Sequence, residues 1–350
     1  MSDILFEEIA GKNGNLGVIT LNRQHALNAL SHSMILSMSE HLESWEKNTS
    51  IKAIILQASE GRAFCAGGDV RAVYDKKLKK DPNLIQFFKD EYDLNQRIFH
   101  YPKPYISYLN GITMGGGAGI SIHGSHRIGT ENLIFAMPET TIGFFPDVGS
   151  SYFLSRLPYH VGLYLGLTGE KIGINDCIAL GLVTQKVSGD QLTNITQKLA
   201  ENSLPDKKAV TTILETFSIS AGDSALLKQQ KEIIEYFQKN SIEKITASLK
   251  NSDTDWAKKT LEILNGKSPL SLKVTFKELQ TANELDFDAC MKMEFSIMQG
   301  FLNSHDFFEG IRALLVDKDR HPMWQPHSIN DVLSENIAPF FPKIQEDSIG

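Results

Sequence analysis

Two acidic residues, Glu139 and Asp147, stand in an otherwise apolar stretch of the chain. They are the only carboxylates between Phe135 and Asp147, and Phe144 lies between them. Burial among such side chains would raise a carboxyl pKa and keep water scarce. Two carboxylates in that setting can divide the roles of acid and base, or of acid and nucleophile. A plainer interpretation is that Glu139 complements the dipole of a helical first turn over 138–143.

Two glycine-rich segments each follow an apolar run. Residues 63–69 read Ala-Phe-Cys-Ala-Gly-Gly-Asp, and residues 111–119 contain three consecutive glycines at 115–117. Because glycine has no side chain, such loops let the backbone approach another group closely. Two backbone N–H groups from separate loops could bind one carbonyl oxygen and stabilise its developing negative charge. A tight turn without chemistry is the alternative for either loop taken alone.

The elements that would position these residues alternate along the first 200 residues. Met34, Met38 and Leu42 recur at helical spacing, and Ser31 or Ser33 could cap that helix. Strand–helix alternation of this kind predicts an α/β layer architecture. The candidate strands are residues 18–21, 53–56, 105–109 and 133–135.

Helical periodicity dominates beyond Leu204. Ser268 and Pro269 form a favourable N-cap and first-turn pair, and a later pattern runs from Phe307 to Leu315. We therefore expect three parts. They are a core over 1–204 that carries the active site, a helical region over 205–341 that packs on it, and a frayed tail over 342–350.

Composition excludes several classes of function. The 350 residues include 41% hydrophobic and 22% charged side chains, which is typical of a folded globular protein. The net charge is −7 and no long Lys/Arg run occurs, so a nucleic-acid partner is not expected.

Cysteine content and targeting signals bear on the cellular location. Three widely spaced cysteines suit a reducing compartment. With no secretory signal pattern and no apolar run of membrane-spanning length, the cytosol is the expected location and no membrane partner is expected.

Other reactive residues have simpler interpretations. Cys65 lies in a glycine loop without a neighbouring base, so a small core side chain is expected there. His123 and His126 lack metal-ligand spacing and are expected to be structural, so no metal site is predicted. The chain contains no GxSxG and no GxxxxGK[ST] sequence, which argues against a serine esterase and a nucleotide-binding P-loop.

Several of these motifs together resemble a known family. The chain is similar to the enoyl-CoA hydratase/isomerase (crotonase) superfamily and, within it, to the 3-hydroxyisobutyryl-CoA hydrolase family. The resemblance covers nearly the whole length. The segments that carry it are 66–69, 110–119, 137–139 with 145–147, 304–313 and 317–319.

The resemblance implies a fold and a reaction. The implied fold is a crotonase-like spiral of ββα units with a helical C-terminal region. The implied reaction is hydrolysis of a β-hydroxyacyl-CoA, such as 3-hydroxyisobutyryl-CoA of valine breakdown, with coenzyme A as part of the substrate and no separate cofactor. A homo-oligomer is also compatible with the superfamily.

The resemblance also implies the residues of the active site. The backbone of Gly68 and Gly116 would form the oxyanion hole, with Glu139 and Asp147 as the catalytic carboxylates. The residues that would contact substrate or coenzyme A are Glu91, Ala26, Leu27, Asn28, Ala66, Gly67, Asp69 and Gly115.

Gly119 departs from the hydratase pattern of this superfamily. Hydratases use two glutamates, and the position of one of them is Gly119 here, whereas Asp147 stands where hydratases typically carry glycine. Hydration is therefore the nearest alternative rather than the first expectation. A decarboxylase-like relative and a non-catalytic acyl-CoA-binding protein are further alternatives. Within hydrolysis, Glu139 could either attack the thioester or activate a water.

Overall fold

The computed structural model describes residues 2–341, and these residues form a mixed α/β structure. The predicted frayed tail, 342–350, lies outside the described residues. Helices and strands alternate up to Lys186, and helices follow one another from there onwards. No helix within residues 2–341 is both long and apolar enough to cross a membrane.

The described chain divides into two compact units, neither of which is continuous in sequence. Unit 1 contains the residues up to Ala72, Lys89–Met137 and Glu170–Lys231. Unit 2 contains Val73–Phe88, Pro138–Gly169 and the residues from Glu232 onwards. This division groups residues by their spatial contacts. The expected boundary after residue 204 separates regions by function, so it stays a prediction.

All ten strands of the described range belong to unit 1, where they form two sheets. One sheet has six strands in the order β1-β2-β3-β5-β7-β10, and it is parallel except for the antiparallel pair β1–β2. The other has four strands in the order β4-β6-β8-β9, with only β9 antiparallel. The strands are β1 Ile4–Ile9, β2 Asn15–Leu21, β3 Ile51–Ala58, β4 Ala63–Cys65, β5 Tyr105–Leu109, β6 Ile112–Met114, β7 His126–Gly129, β8 Ile134–Ala136, β9 Ile172–Gly173 and β10 Gln185–Lys186.

Apolar strand residues pack against helices to form the core of unit 1. Val18, Ile55 and Ile106 lie in adjacent strands of the larger sheet, and each is at most 2% exposed. They share one cluster with Leu199 and Leu214, which lie on helices. Parallel strands are covered in this way because their crossover connections place helices on the sheet faces.

Sixteen α-helices occur in the described range, and all of those that begin after Glu232 belong to unit 2. Their bounds are α1 His32–Lys47, α2 Val70–Leu78, α3 Leu84–Phe99, α4 Gly116–Gly119, α5 Ser150–Ser155, α6 Val161–Thr168, α7 Ile174–Ala179, α8 Leu192–Ala200, α9 Lys207–Glu215, α10 Gln230–Phe237, α11 Ile242–Lys250, α12 Asp255–Asn265, α13 Pro269–Ala282, α14 Phe287–Leu302, α15 His305–Ile311 and α16 Ser334–Ile337.

The local sequence signals correspond to these elements. Ser31 is the N-cap of α1, and its hydroxyl accepts a hydrogen bond from the N–H of Met34 at 3.3 Å. Ser268 caps α13, with Pro269 as the first helical residue. The four predicted strands lie within β2, β3, β5 and β8 to within one residue. The pattern after Phe307 divides into α15 and a π-helical turn, Arg312–Val316.

Candidate active site

The two glycine loops of unit 1 lie against each other. A Cβ atom added to Gly116 would lie 3.1 Å from the backbone nitrogen of Gly68, and one added to Gly117 would lie 2.3 Å from the carbonyl oxygen of Cys65. Only glycine fits at these two positions, because a side chain would displace the neighbouring backbone. Gly116 is the first residue of α4, so its N–H has no acceptor within that helix. The structure therefore brings Gly68 and Gly116 together, as an oxyanion hole requires.

Glu91 belongs to the same group. It lies on α3, is 2% exposed, and its Oε1 atom would be 2.5 Å from a Cβ on Gly116. Its negative charge also raises the pKa of the nearby Cys65 thiol, although burial is the larger cause. The Glu91 carboxylate therefore lies beside the backbone of Gly116.

The segment predicted to hold coenzyme A runs alongside the 63–69 loop. A 3-10 turn, Gln24–Ala26, leads into Leu27 and Asn28, whose φ angles are 52° and 56°. The N–H of Ala66 donates to the carbonyl of Leu27 at 3.1 Å. The Asn28 amide is buried and donates to the carbonyl of Ala63 at 3.0 Å. The side chain of Asn28 therefore holds the two segments together.

Gly67, Asp69 and Gly115 occupy turns in this region. Gly67 and Gly115 have φ angles of 122° and 49°, which favour glycine. Asp69 receives a hydrogen bond from the N–H of Ala72 at 3.1 Å and pairs with Arg23 at 2.8 Å. Its carboxylate thus stabilises the first turn of α2 and the loop beside it.

Glu139 lies in unit 2, at the first position of the 3-10 turn Glu139–Ile142, and it is 7% exposed. Two side-chain hydrogen bonds hold this turn in place. The hydroxyl of Thr140 donates to the carbonyl of Leu167 at 3.1 Å, and the ammonium of Lys267 donates to the hydroxyl of Thr141 at 2.6 Å. The turn is the one that the plainer interpretation of Glu139 predicted, but it is buried and held from both sides.

The C-terminal motif packs on that turn within unit 2. A Cβ on Gly310 would lie 2.2 Å from the carbonyl oxygen of Ile142, and one on Gly143 would lie 2.2 Å from the carbonyl oxygen of Asp306. The buried carboxylate of Asp306 accepts a hydrogen bond from Ser268 at 2.5 Å. Segment 304–313 therefore supports the backbone that carries Glu139.

Asp147 begins a strained turn, also in unit 2. It is 6% exposed, and its carbonyl accepts the N–H of Ser150 at 3.0 Å. Val148 and Gly149 follow with φ angles of 57° and 81°. The left-handed region is unfavourable for a β-branched residue, so surrounding contacts must hold Val148 in it. Strain of this kind is common where a side chain must be aimed.

Glu294 on α14 supplies those contacts, and the sequence patterns did not reveal it. Its Oε2 accepts the N–H of Gly149 at 2.7 Å, and its Oε1 accepts the N–H and the hydroxyl of Ser151 at 3.0 and 2.5 Å. Glu294 is fully buried, and burial raises its pKa to about 8 despite these hydrogen bonds. It fixes the turn that follows Asp147.

Glu278 on α13 is a second buried carboxyl group that the patterns did not reveal. It is 0% exposed, and its pKa is raised well above the usual value, first by burial and then by the charges of Glu294 and Asp147. The signal in the sequence was a glutamate on the apolar side of a helix. Periodicity alone treats such a residue as an interruption of the apolar face and does not show that it is buried.

Aromatic rings surround the segment between the two catalytic candidates. The ring of Phe144 lies 4.4 Å from that of Phe307, 5.3 Å from that of Phe301 and 5.8 Å from that of Phe88, centroid to centroid. Phe145 stacks on Phe301 at 5.5 Å. These contacts are within unit 2, and they make the segment between Glu139 and Asp147 part of an aromatic cluster.

Cys65 and His126 are both buried in unit 1. Burial raises the pKa of the Cys65 thiol to about 12, so a thiolate is disfavoured. His126 forms hydrogen bonds with Ser125 and Thr211, and burial lowers its pKa to about 4. Among residues 2–341 no three His, Cys, Asp or Glu side chains are grouped to hold a metal ion.

Comparison with known proteins places this chain in a family. The family model described as enoyl-CoA hydratase/isomerase matches residues 16–341. The chain belongs to the enoyl-CoA hydratase/isomerase family. Its relatives include the mitochondrial 3-hydroxyisobutyryl-CoA hydrolases of Xenopus laevis and Homo sapiens. The first is 41% identical over 94% of this chain and 87% of that protein, and the second is 37% identical over 97% and 89%.

Two solved structures share the fold of this chain. A carnitinyl-CoA dehydratase from Mycobacterium thermoresistibile aligns with a TM-score of 0.90 and 34% identity, covering 99% of this chain and 98% of that one. An enoyl-CoA hydratase from Rhodobacter sphaeroides aligns with a TM-score of 0.87 and 32% identity, covering 97% of each chain. The crotonase-like fold with a helical C-terminal region, predicted from the sequence, is thus confirmed.

Proposed function

We propose that this protein hydrolyses the thioester of a β-hydroxyacyl-CoA, with 3-hydroxyisobutyryl-CoA as its substrate. The observation that carries the proposal is the 41% identity, over 94% of the chain, to a relative named for that activity. The products would be 3-hydroxyisobutyrate and coenzyme A with a free thiol. Water supplies the oxygen that enters the acid, and the sulfur leaves with a proton, so the reaction needs no further cofactor.

The backbone loops of unit 1 would bind the thioester carbonyl. The N–H groups of Gly68 and Gly116 point to an oxyanion hole because their loops are in contact and Gly116 begins a helix. Negative charge develops on the carbonyl oxygen as the tetrahedral intermediate forms, and such donors stabilise it without reorganising. Glu91 beside them would contact the acyl part of the substrate.

The two carboxylates of unit 2 would perform the remaining chemistry. Glu139 either attacks the carbonyl carbon, which gives a mixed anhydride and releases the thiolate, or removes a proton from an attacking water. Asp147 would orient the β-hydroxyl group or the water. Single turnover in oxygen-18 water tests for the anhydride, because label enters Glu139 only if an anhydride forms and water attacks its protein carbonyl.

The test of the function is release of free thiol from a panel of acyl-CoAs. Hydrolysis predicts thiol release from 3-hydroxyisobutyryl-CoA and slower release from acyl-CoAs without a β-hydroxyl. Thiol release that is equal for every acyl-CoA would contradict the β-hydroxyacyl assignment, and none at all would contradict hydrolysis.

Hydration is the second candidate, because the two solved structures described above are named as a dehydratase and a hydratase. Against it stands Gly119, which lies inside α4 and has no side chain to hold a water. Loss of the enoyl absorbance of crotonyl-CoA without thiol release would favour hydration.

Three broader predictions accompany the proposed activity. That substrate would place the protein in valine breakdown, and a homo-oligomer and a cytosolic location are also proposed. The relatives named above are described as mitochondrial. Cell fractionation followed by immunoblotting tests the location, and light scattering of the purified chain tests the oligomer.

A further inference from the structure

Helix α13 carries a stripe of buried polar side chains. Ser271, Thr275 and Glu278 are spaced by four and three residues, so they lie on one face of the helix. Each is 0% exposed. The two hydroxyl oxygens and both carboxyl oxygens form no hydrogen bond with any residue in the described part of the chain. Buried polar groups are almost always hydrogen-bonded, so we expect these side chains to have a hydrogen-bond partner such as an internal water.

The neighbouring elements of unit 2 add a fourth such group. Helix α13 packs against α5, α6, α14 and the 3-10 turn that carries Glu139. Ser150 is the first residue of α5, is 0% exposed, and its hydroxyl also forms no hydrogen bond with the residues described. Several buried hydroxyl and carboxyl groups on packed elements are the usual lining of a site for internal water.

Acidic groups dominate the surroundings of Glu278. Glu294 and the Cys290 thiol act on it from α14, Asp147 acts from the segment before α5, and Glu139 acts from the 3-10 turn. From α6 the titratable side chain is Tyr164, whose ring stacks on that of Trp256.

The cations near α13 are engaged elsewhere. Lys273 pairs with Glu243 of α11 at 2.6 Å, and Lys277 lies over the ring of Phe341. Arg156, which follows α5, donates to the carbonyl of Ala282 at the end of α13.

These surroundings favour the neutral form of Glu278. Burial, and then the charges of the neighbouring acids, raise its pKa well above the usual value. A neutral carboxylic acid has one O–H donor and can still accept hydrogen bonds, whereas a carboxylate only accepts. The neutral form can therefore give a hydrogen bond to the acidic groups around it.

We propose that Glu278 is a positioning residue. Its neutral carboxylic acid, with the hydroxyls of Thr275 and Ser150, binds a buried water and through it donates a hydrogen bond to the carboxylate of Asp147. The bridge orients Asp147 and favours its ionised form, which the hydrolysis needs. The catalytic consequence rests on the proposed function, whereas the neutral acid and its water do not.

Infrared difference spectroscopy of the protein without substrate tests the neutral acid. Wild type at neutral pH should show the carbonyl stretch of a protonated carboxylic acid that Glu278→Gln lacks and that moves in heavy water. The exposed Glu284→Gln variant is the matched control and should keep the band. If the wild-type and Glu278→Gln spectra are identical in this region, the proposal is wrong, even if hydrolysis is established.

The pH profile of thiol release tests the bridge to Asp147. Glu278→Leu removes the donor, so the acidic limb of kcat/KM should move to higher pH by roughly one unit, with little change in KM. Glu278→Gln retains an N–H donor, so its limb should stay in place while kcat falls severalfold. If both variants move the limb to lower pH, Glu278 is ionised, and if neither moves it, Glu278 only fills space. Either result overturns the proposal.

Thr275→Val covers the case in which Glu278→Leu does not fold. This variant keeps the side-chain shape but removes one ligand of the water, so the limb should move in the same direction by a smaller amount. A limb that stays at the wild-type position would overturn the water bridge. If wild type releases no thiol from any acyl-CoA, the proposed function fails, but the infrared band still decides whether Glu278 is neutral.

Discussion

The carboxylate of Glu294 accepts a hydrogen bond from the N–H of Gly149 at 2.7 Å, and this contact anchors the turn that begins with Asp147. The turn contains Val148 in the left-handed region, which costs free energy at a β-branched residue. The same carboxylate holds Ser151 at the start of α5. One residue on α14 therefore fixes the backbone that follows the strained position, within the turn that begins with Asp147.

The raised pKa of Glu294 predicts how stability depends on pH. Its pKa is 4.5 in the unfolded chain and about 8 in the folded protein, so the folded state binds more protons between these values. The free energy of unfolding should then fall as pH rises from about 4.5 to about 8. Glu294→Gln removes this term, so its unfolding free energy should depend less steeply on pH in that window. Urea unfolding at several pH values measures both slopes.

Glu284→Gln is the matched control for that measurement, because Glu284 is exposed. It should keep the wild-type slope. An equal slope in wild type and Glu294→Gln would contradict the role given to Glu294. Below pH 4.5, where Glu294 is protonated in both the folded and the unfolded chain, the Glu294→Gln variant should be less stable than wild type by about 1–3 kcal/mol, since an amide N–H would face one of the backbone donors.

The Glu139→Gln variant tests the main catalytic assignment. The amide keeps the size of the side chain but can neither attack the carbonyl nor accept a proton, so kcat should fall by roughly 10²–10⁴. Affinity for coenzyme A should stay within a factor of two or so, because the group acts mainly in the transition state. Thiol release measures the first quantity and calorimetric titration the second. If the Glu139→Gln variant turned over substrate at the wild-type rate, Glu139 would have no catalytic role.

Local sequence signals were sufficient to select the candidate site residues. The glycines at 67–68 and 115–117 were recognisable because close backbone contact allows no side chain, and the structure places the two loops together. Glu139 and Asp147 stood out because acidic residues are rare among phenylalanines. Ser31 and Ser268 predicted where α1 and α13 begin, because capping depends on residues adjacent in sequence.

The supporting carboxyl groups could not be predicted in the same way. The burial of Glu278 and Glu294 depends on which elements pack against α13 and α14, and the sequence does not give those neighbours. Periodicity gives a helix face but not its neighbour. The left-handed conformation of Val148 could not be predicted either, because the turn that contains it is held by Glu294, which is distant in sequence.

The Gly116→Ala variant tests the oxyanion hole. The added methyl group would lie 2.5 Å from Glu91 Oε1 and 3.1 Å from the Gly68 nitrogen, so it must displace one of them. Loss of one oxyanion donor costs about 10²–10³ in kcat, and we expect a decrease of that order. Gly173→Ala is the control, since a Cβ there meets no atom within 4 Å. Equal thiol release by both variants would show that the Gly116 backbone does not bind the carbonyl.

The Asp147→Asn variant separates substrate orientation from general support of the reaction. If Asp147 accepts a hydrogen bond from the β-hydroxyl group, the amide should weaken that contact and reduce kcat/KM for β-hydroxyacyl-CoAs by roughly tenfold more than for acyl-CoAs without the hydroxyl. The comparison is made within one variant, so any change in folding affects both substrates equally. Thiol release with 3-hydroxybutyryl-CoA and butyryl-CoA provides the pair. Equal losses on the two would assign Asp147 to the water or to proton transfer instead, because those steps are common to every acyl group.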